Sequence, residues 1–169
     1  MYKRQHHGST EGCLALLDGL AGRWRGGAPP ARILDVGTGT GILAIAALAL
    51  GAPRVRGIDV DPDAVAAARH NAELNACADR LDVALGAPGD VDAGASFDLV
   101  LANLLTNAHL ELAGEYRRLV APGGALVLGG MLSAEGARVE AALGAGGFQP
   151  GGRVDLEGWA SLLLRRGDG

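Results

Sequence analysis

The sequence contains little cysteine and almost no lysine. Its two cysteines, Cys13 and Cys77, lie far apart and outside any C-x-x-C or metal-ligand spacing. We therefore expect two small buried thiols in a reducing compartment and neither a disulfide nor a metal site. Lys3 is the only lysine among 15 basic residues. This arginine bias accompanies a high glycine and alanine content, and we attribute it to composition rather than to function.

Long hydrophobic segments and an excess of positive charge are also missing. Residues 1–7 contain no apolar segment of the kind that a secretory signal requires. The apolar run Ile42–Leu50 is too short to cross a bilayer. The formal net charge is −4, which disfavours nucleic acid or an acidic membrane as the main partner. These features favour a cytoplasmic protein with no membrane partner and no direct nucleic-acid partner.

The segment Ile33–Gly41, with the sequence I-L-D-V-G-T-G-T-G, organises the chain. A short apolar run precedes the alternate glycines Gly37, Gly39 and Gly41, and the apolar run Ile42–Leu50 follows them. This order predicts a strand, a glycine loop and a buried helix. Glycines let the backbone bend and let a ligand approach closely, while the helix start offers free N–H groups. The segment therefore predicts a nucleotide-like cofactor, and a glycine loop without a ligand is the alternative.

Two aspartates, Asp59 and Asp61, lie at the end of the next predicted strand, Arg54–Val60, and just after it, and they have different explanations. Asp61 precedes Pro62, which is favoured at the first position of a helix, so Asp61 is predicted to cap that helix. Asp59 lies at the end of the strand, where a doubly wound sheet opens its ligand crevice. A carboxylate there can accept both hydrogen bonds of a ribose diol, so we predict that Asp59 binds the ribose of the cofactor.

The rest of the chain alternates between helix and strand patterns. We predict helices at about 10–24, 62–75, 105–119 and 134–145, and strands at 81–85, 97–102, 125–128, 148–154 and 159–164. Ser9 or Thr10 is expected to cap the first helix, and His109 lies off the apolar stripe of its helix, so we expect it to be solvated. The pattern predicts one α/β domain over residues 1–169, with a short lead-in at 1–8, a mostly parallel sheet and an antiparallel hairpin at one edge.

Several motifs together resemble a known family. They are L-D-V-G-T-G-T-G-I-L at 34–43, G-I-D-V-D-P at 57–62, A-N-L-L at 102–105, P-G-G at 122–124, E-G-W at 157–159 and H-G-S-T at 7–10. Ile42 stands where a dinucleotide fingerprint has its third glycine, which disfavours a dehydrogenase. From His7 to about Arg166 the chain resembles the catalytic domain of the ribosomal protein L11 methyltransferases, a branch of the class I methyltransferases that use S-adenosyl-L-methionine (SAM). The resemblance implies a Rossmann-like three-layer sandwich with a seven-stranded sheet.

The resemblance also implies a cofactor, SAM, and roles for single residues. The residues implied in cofactor binding are Thr10, Asp35, Gly37, Thr38, Gly39, Gly41, Asp59 and Asn103. Asp35 would bind the ammonium group of SAM, and its alternative role is to anchor N–H groups of the loop. Asn103 would position an acceptor amine through its side-chain oxygen, because an amide is too weak to act as a base. Its alternative role is to satisfy the turn at the strand end.

The sequence departs from the family pattern before the first helix. Lys3-Arg4-Gln5 replaces a Gly-Thr-Gly loop of the family, and the family's N-terminal substrate-recognition domain does not precede the matching segment. We therefore expect either a fragment or a stand-alone relative. The implied function is a SAM-dependent protein N-methyltransferase that acts on a lysine or amine, with a ribosomal protein as its possible partner. A small-molecule methyltransferase and a non-catalytic SAM-binding relative are the alternatives.

Overall fold

The computed structural model of the protein describes residues 7–24 and 27–168, and the segment Lys3–Gln5 lies outside them. Within these residues the chain forms six α-helices and seven strands. The helices are α1 His7–Trp24, α2 Ile42–Ala49, α3 Pro62–Leu74, α4 Thr106–Glu111, α5 Ala113–Leu119 and α6 Gly136–Ala145. The strands are β1 Ile33–Val36, β2 Val55–Asp59, β3 Leu81–Leu85, β4 Phe97–Asn103, β5 Val120–Leu132, β6 Phe148–Leu156 and β7 Trp159–Arg166.

All seven strands lie in one sheet of order β3-β2-β1-β4-β5-β7-β6. The first five strands pair in parallel, and β7 pairs antiparallel with both β5 and β6. The predicted mostly parallel sheet with an antiparallel edge hairpin is therefore confirmed. The order reverses between β1 and β4, so the crevice at the carboxyl ends of these strands is the expected ligand position of the fold.

Two apolar clusters cover the two faces of this sheet. Helices α1, α2 and α3 contribute Leu17, Leu43 and Val65 to one cluster, together with alternate residues of the strands. The other cluster contains Tyr116 of α5 and Val139 of α6, together with the remaining strand residues. This alternation is expected of strands that are buried on both faces. The predicted three-layer sandwich is confirmed.

The structure corrects two predictions about helices. Helix α1 already includes Ser9 and Thr10, so neither residue is the predicted cap of this helix. The predicted helix at 105–119 is divided at Leu112 into α4 and α5. Gly114 lies in the first turn of α5, close to the division. Glycine weakens a continuous helix because it loses more backbone entropy than other residues.

His109 is buried, and the prediction that it would be solvated is wrong. Its side chain has 0% exposure, and both ring nitrogens have hydrogen-bonding partners inside the protein. The apolar stripe of the helix did not include His109, because the burial of this ring depends on polar partners.

In the described part of the chain, no helix has the length and apolar character needed to span a membrane.

Candidate active site

Three glycines form a left-handed loop between β1 and α2. Gly37, Gly39 and Gly41 have φ values of 64°, 56° and 81°, a region that L-residues with side chains rarely adopt. A Cβ atom on Gly37 would lie 2.6 Å from Cδ2 of Leu104, and one on Gly41 would lie 3.3 Å from Cβ of Ala68. The loop therefore needs glycine both for its backbone conformation and for its close approach to neighbouring side chains.

Asp59 ties the glycine loop to the end of β2. One of its carboxylate oxygens accepts a hydrogen bond from the backbone N–H of Gly39 at 2.9 Å, and the other accepts one from the backbone N–H of Asp61 at 3.0 Å. Each oxygen has a further lone pair for a ligand. Asp61 caps α3 as predicted, because its side chain accepts a hydrogen bond from the N–H of Asp63 at 2.9 Å. Asp61 therefore caps the helix, whereas Asp59 binds the glycine loop at the end of β2.

Asp35 lies beneath the loop and is almost fully buried, with 2% exposure. Its carboxyl group accepts hydrogen bonds from the hydroxyl of Thr38 at 2.7 Å and from the backbone N–H of Ala44. Burial raises the pKa of Asp35 to about 7, because transfer from water disfavours the charged form more than these bonds favour it. These contacts are those of a residue that anchors the loop, the alternative role predicted for Asp35.

Asn103 ends β4 and faces α1. Its Nδ2 group donates a hydrogen bond to Oγ1 of Thr10 at 3.1 Å, and its backbone pairs in register with Gly129 of β5. The Oδ1 atom of Asn103 is buried and accepts no hydrogen bond within the described residues. A buried acceptor without a partner is costly, so a hydrogen-bond donor supplied to this oxygen would be stabilising.

A buried histidine supports the segment that follows Asn103. The carbonyl oxygen of Gly129 accepts a hydrogen bond from Nε2 of His109 at 2.8 Å and from the backbone N–H of Leu104 at 3.0 Å. Because Nε2 carries the proton, Nδ1 accepts the hydrogen bond from the hydroxyl of Tyr116 at 2.9 Å. Burial lowers the pKa of His109 and so favours the neutral ring.

Two exposed apolar residues flank the crevice, and sequence reasoning missed both. Val60 directly follows β2 and is 71% exposed, and Leu85 ends β3 and is 60% exposed. Their positions beside Asp59 suit contact with the flat face of a base. An apolar residue directly after a strand-ending acid is the sequence signal that could have identified Val60.

A small cavity of about 270 Å³ opens beside β5, at the carboxyl ends of the parallel strands. It is lined by Leu105, Thr106, Asn107, Gly130, Leu132, Glu135 and Trp159. Glu135 accepts a hydrogen bond from the hydroxyl of Thr106 at 2.6 Å. Gly130 follows the residue that pairs with Asn103, so the cavity lies near the end of β4, although Asn103 is not one of its lining residues. No sequence motif indicated this cavity, because its walls come from separate parts of the chain. They are the start of α4, the end of β5, the turn before α6 and the start of β7.

Comparisons with known proteins agree with this fold and this arrangement of motifs. The sequence model of the family described as ribosomal protein L11 methyltransferase (PrmA) matches residues 5–167. The ribosomal protein L11 methyltransferase of Bradyrhizobium diazoefficiens is 42% identical over 165 residues, which cover 95% of this chain and 54% of that protein. The chain thus spans about half the length of the curated relatives that it matches.

Solved structures with the same fold include two informative examples. The crystal structure of a ribosomal protein L11 methylase from Lactobacillus delbrueckii subsp. bulgaricus aligns with a TM-score of 0.79 and 31% identity, covering 90% of this chain and 78% of that one. An RNA methyltransferase from Salinibacter ruber, crystallised with S-adenosyl-L-homocysteine, aligns with a TM-score of 0.67, covering 92% of both chains. At 24% identity the second example shows the fold alone. On the family match and the close relatives, this chain belongs to the ribosomal protein L11 methyltransferase family.

Proposed function

We propose that this chain is the catalytic part of a SAM-dependent protein methyltransferase that acts on an amine of a ribosomal protein. The observation that carries this proposal is Asn103, whose Oδ1 atom is buried without a hydrogen-bond donor among the described residues. An N–H group of an acceptor amine would provide that donor once the crevice opens enough to expose this buried atom. A ribosomal protein substrate is supported by the names of the relatives, and we place the reaction in the cytoplasm, where such substrates are made.

The residues of the crevice fit SAM. The loop of Gly37, Gly39 and Gly41 can approach the cofactor closely without side-chain clashes. The free lone pairs of Asp59 suit the two hydroxyls of a ribose, and the exposed side chain of Val60 suits the face of the adenine. When bound, SAM supplies an electrophilic methyl group. Asp35 would act through the loop that it anchors, or through a water molecule on the ammonium group.

The acceptor side of the site favours an amine. A free lysine with its ordinary pKa is neutral in only about one molecule in 2,500 at pH 7, so a site for amine methylation must favour the neutral form. The cavity at the end of β5 has apolar walls, including Leu105 and Trp159, which would desolvate an ammonium group and lower its pKa. The carboxylate of Glu135 lines the same cavity and would accept the proton that the ammonium group releases. Asn103 would then orient the neutral amine, which accounts for an amide rather than a base at this position.

The first experiment tests the positioning role of Asn103. Methyl transfer from radiolabelled SAM to purified ribosomal protein L11 is measured for the parent chain and for Asn103→Ala and Asn103→Asp. We expect kcat to fall by roughly 100-fold in Asn103→Ala, since misplacement of a reacting group by about 1 Å has an effect of this size. The KM for SAM should change far less. Asn75→Ala, which removes an exposed amide at the end of α3, is the matched control.

The outcomes of this experiment separate the candidate functions. A chain that binds SAM saturably and transfers no methyl group to the ribosomal protein would contradict the proposed substrate. Methylation of small amines by the same preparation would then favour the small-molecule enzyme. Binding of SAM without any transfer would favour the non-catalytic relative.

A second experiment tests the cofactor side by calorimetry with SAM. Asp59→Ala should weaken binding by roughly 10–100-fold, because hydrogen bonds to a charged group contribute about 1.5–3 kcal/mol. Asp61→Asn lies two residues away and alters the helix cap, so it should change affinity by less than about twofold. Equal loss of affinity in the two variants would contradict the assignment of Asp59 to the ribose.

A further inference from the structure

The amino edge of the sheet, opposite the candidate active site, carries a larger cavity of about 500 Å³. Four arginines line it: Arg32, Arg54, Arg56 and Arg80. Three of them directly precede the strands β1, β2 and β3, which are adjacent in the sheet. Parallel strands begin at the same edge of a sheet, so the fold gathers these arginines at one place.

The register of the strands brings the arginine side chains close together. Arg56 of β2 pairs with Leu34 of β1 and with Asp82 of β3. Arg32, Arg54 and Arg80 lie two residues before these three paired positions. The same register therefore places them side by side, on the face that also carries Arg56. The backbone N–H of Val55 donates to the carbonyl oxygen of Arg80 at 3.0 Å, which extends the pairing to that row. Neighbouring strands lie about 4.8 Å apart, and like charges at that spacing repel one another.

The described residues leave this positive charge without ion-paired carboxylates. Across residues 7–24 and 27–168, the ion pairs join Arg118 to Glu115 and Arg153 to Asp155, and neither pair includes an arginine of the cavity. Two aspartates, at positions 79 and 82, line the cavity, but neither forms an ion pair with the four arginines in the described structure.

Arg32 and Arg56 each have a hydrogen-bond donor that meets no charged acceptor in the described structure. The guanidinium group of Arg32 donates to the hydroxyl of Ser96 at 3.2 Å, which is a neutral partner. The Nε atom of Arg56 is buried and, within residues 7–24 and 27–168, has no hydrogen-bond partner. A buried donor without a partner is costly and calls for an explanation, such as a bound ion.

We propose that this cavity binds a phosphate-bearing anion with at least two negative charges. The planar fork of arginine donors matches the oxygens of a phosphate and makes two parallel hydrogen bonds to it. The volume lies within the range of small-ligand sites. A net charge of −4 for the whole chain conceals this local excess of positive charge. The site lies at the opposite edge of the sheet from Asp59 and Asn103, so it does not depend on the proposed methyl transfer.

Calorimetric titration with sodium pyrophosphate at constant ionic strength tests this proposal. We expect one saturable site in the parent chain and at least tenfold weaker binding in the double variant Arg54→Gln/Arg80→Gln. The matched control is Arg117→Gln/Arg138→Gln, which removes the same charge from two exposed positions outside the cavity. Binding to the control should stay within about twofold of the parent. No saturable binding to the parent, or an equal loss in both double variants, would overturn the proposal.

A second measurement needs no variant and so does not depend on how the variants fold. Pyrophosphate should shift the backbone amide resonances of residues 31–33, 54–56 and 78–82 and leave those of the glycine loop unchanged. Shifts confined to other residues would also overturn the proposal. The source of the phosphate group is then distinguished with ADP and with a short single-stranded RNA. Tighter binding of ADP identifies a nucleotide, whereas tighter binding of the RNA, with a steep dependence on salt, identifies a nucleic-acid backbone.

Discussion

The β1–β2 side of the candidate active site and the β4 side are held by different kinds of contact. On the first side, Asp59 and Asp35 bind the glycine loop within a single βαβ unit. On the second side, Asn103 bonds to Thr10 across 93 positions of the sequence, and His109 bonds to the carbonyl group of Gly129 in the neighbouring strand β5. Local motifs therefore form the proposed cofactor side, and tertiary packing forms the proposed acceptor side.

The largest expected effect comes from Gly37 and Leu104, which lie close together where the two sides meet. Gly37→Val would place side-chain atoms against Leu104, at a residue whose φ of 64° already disfavours a side chain. We expect SAM affinity to fall by at least about 100-fold, since both the loop and the segment after β4 must move. Calorimetry with SAM measures this loss directly.

The matched control for Gly37→Val is Gly51→Val. Gly51 also has a positive φ, of 113°, but a Cβ atom there would have no neighbour within 4 Å. Both variants carry backbone strain, and only the change at Gly37 affects the site. If Gly51→Val weakened SAM binding as much as Gly37→Val, general loss of stability would explain the effect and the contact with Leu104 would not.

A smaller effect is expected from Tyr116→Phe, which changes only the acceptor side. The substitution removes the hydroxyl that donates to Nδ1 of His109 and leaves that buried nitrogen without its partner. The free energy of unfolding should fall by about 1–3 kcal/mol, as measured by urea denaturation. Methyl transfer should fall with it, because His109 holds the carbonyl group of Gly129 beside Leu104.

The affinity for SAM distinguishes a local effect of Tyr116→Phe from a general one. The bonds of Asp59 and Asp35 to the glycine loop do not involve Tyr116. SAM affinity should therefore stay within about twofold of the parent chain, when it is measured well below the unfolding temperature. A large loss of SAM affinity would show that the two sides of the site are coupled more tightly than their contacts indicate.

The same difference explains what the sequence could predict. Turn and capping chemistry within a few residues predicts the strand, glycine loop and helix at the start of the chain's sheet. It also predicts the separate positions of Asp59 and Asp61. The burial of His109 could not be predicted, because its partners Tyr116 and Gly129 become neighbours only when α5 and β5 pack together. Hydrogen bonds between separate elements leave no periodic pattern in the sequence.

The predicted role of Thr10 shows the same limit. The sequence predicts that Thr10 caps a helix, whereas Thr10 lies inside α1 and its hydroxyl accepts a hydrogen bond from Asn103. Its role in cofactor binding stays a prediction. A hydroxyl near a helix start is a local signal, and the partner that it actually has lies on a distant strand. The cavity of four arginines is a further case, because an arginine before each of three strands becomes a cluster only once the order of the strands is known.

The smallest expected effect concerns Asp35 and the dependence of stability on pH. Its folded-state pKa, raised to about 7 by burial, lies above the ordinary value of 3.8 for an aspartate. Between these values the unfolded chain has lost a proton that the folded chain keeps, so the free energy of unfolding falls as pH rises from about 4 to about 7. Asp35→Asn cannot ionise and should lack this contribution.

Urea denaturation at pH 5 and pH 8 measures the effect of Asp35 as a difference between two proteins. Relative to Asp35→Asn, the parent chain should lose at least about 1 kcal/mol of its free energy of unfolding between these pH values, since one unit of pKa shift corresponds to about 1.4 kcal/mol. Burial lowers the pKa of His109, which favours stability at higher pH, but this contribution is common to both proteins and cancels in the difference. Parallel pH profiles would mean that Asp35 is ionised in the folded state, and its carboxylate would then be available to the ammonium group of SAM.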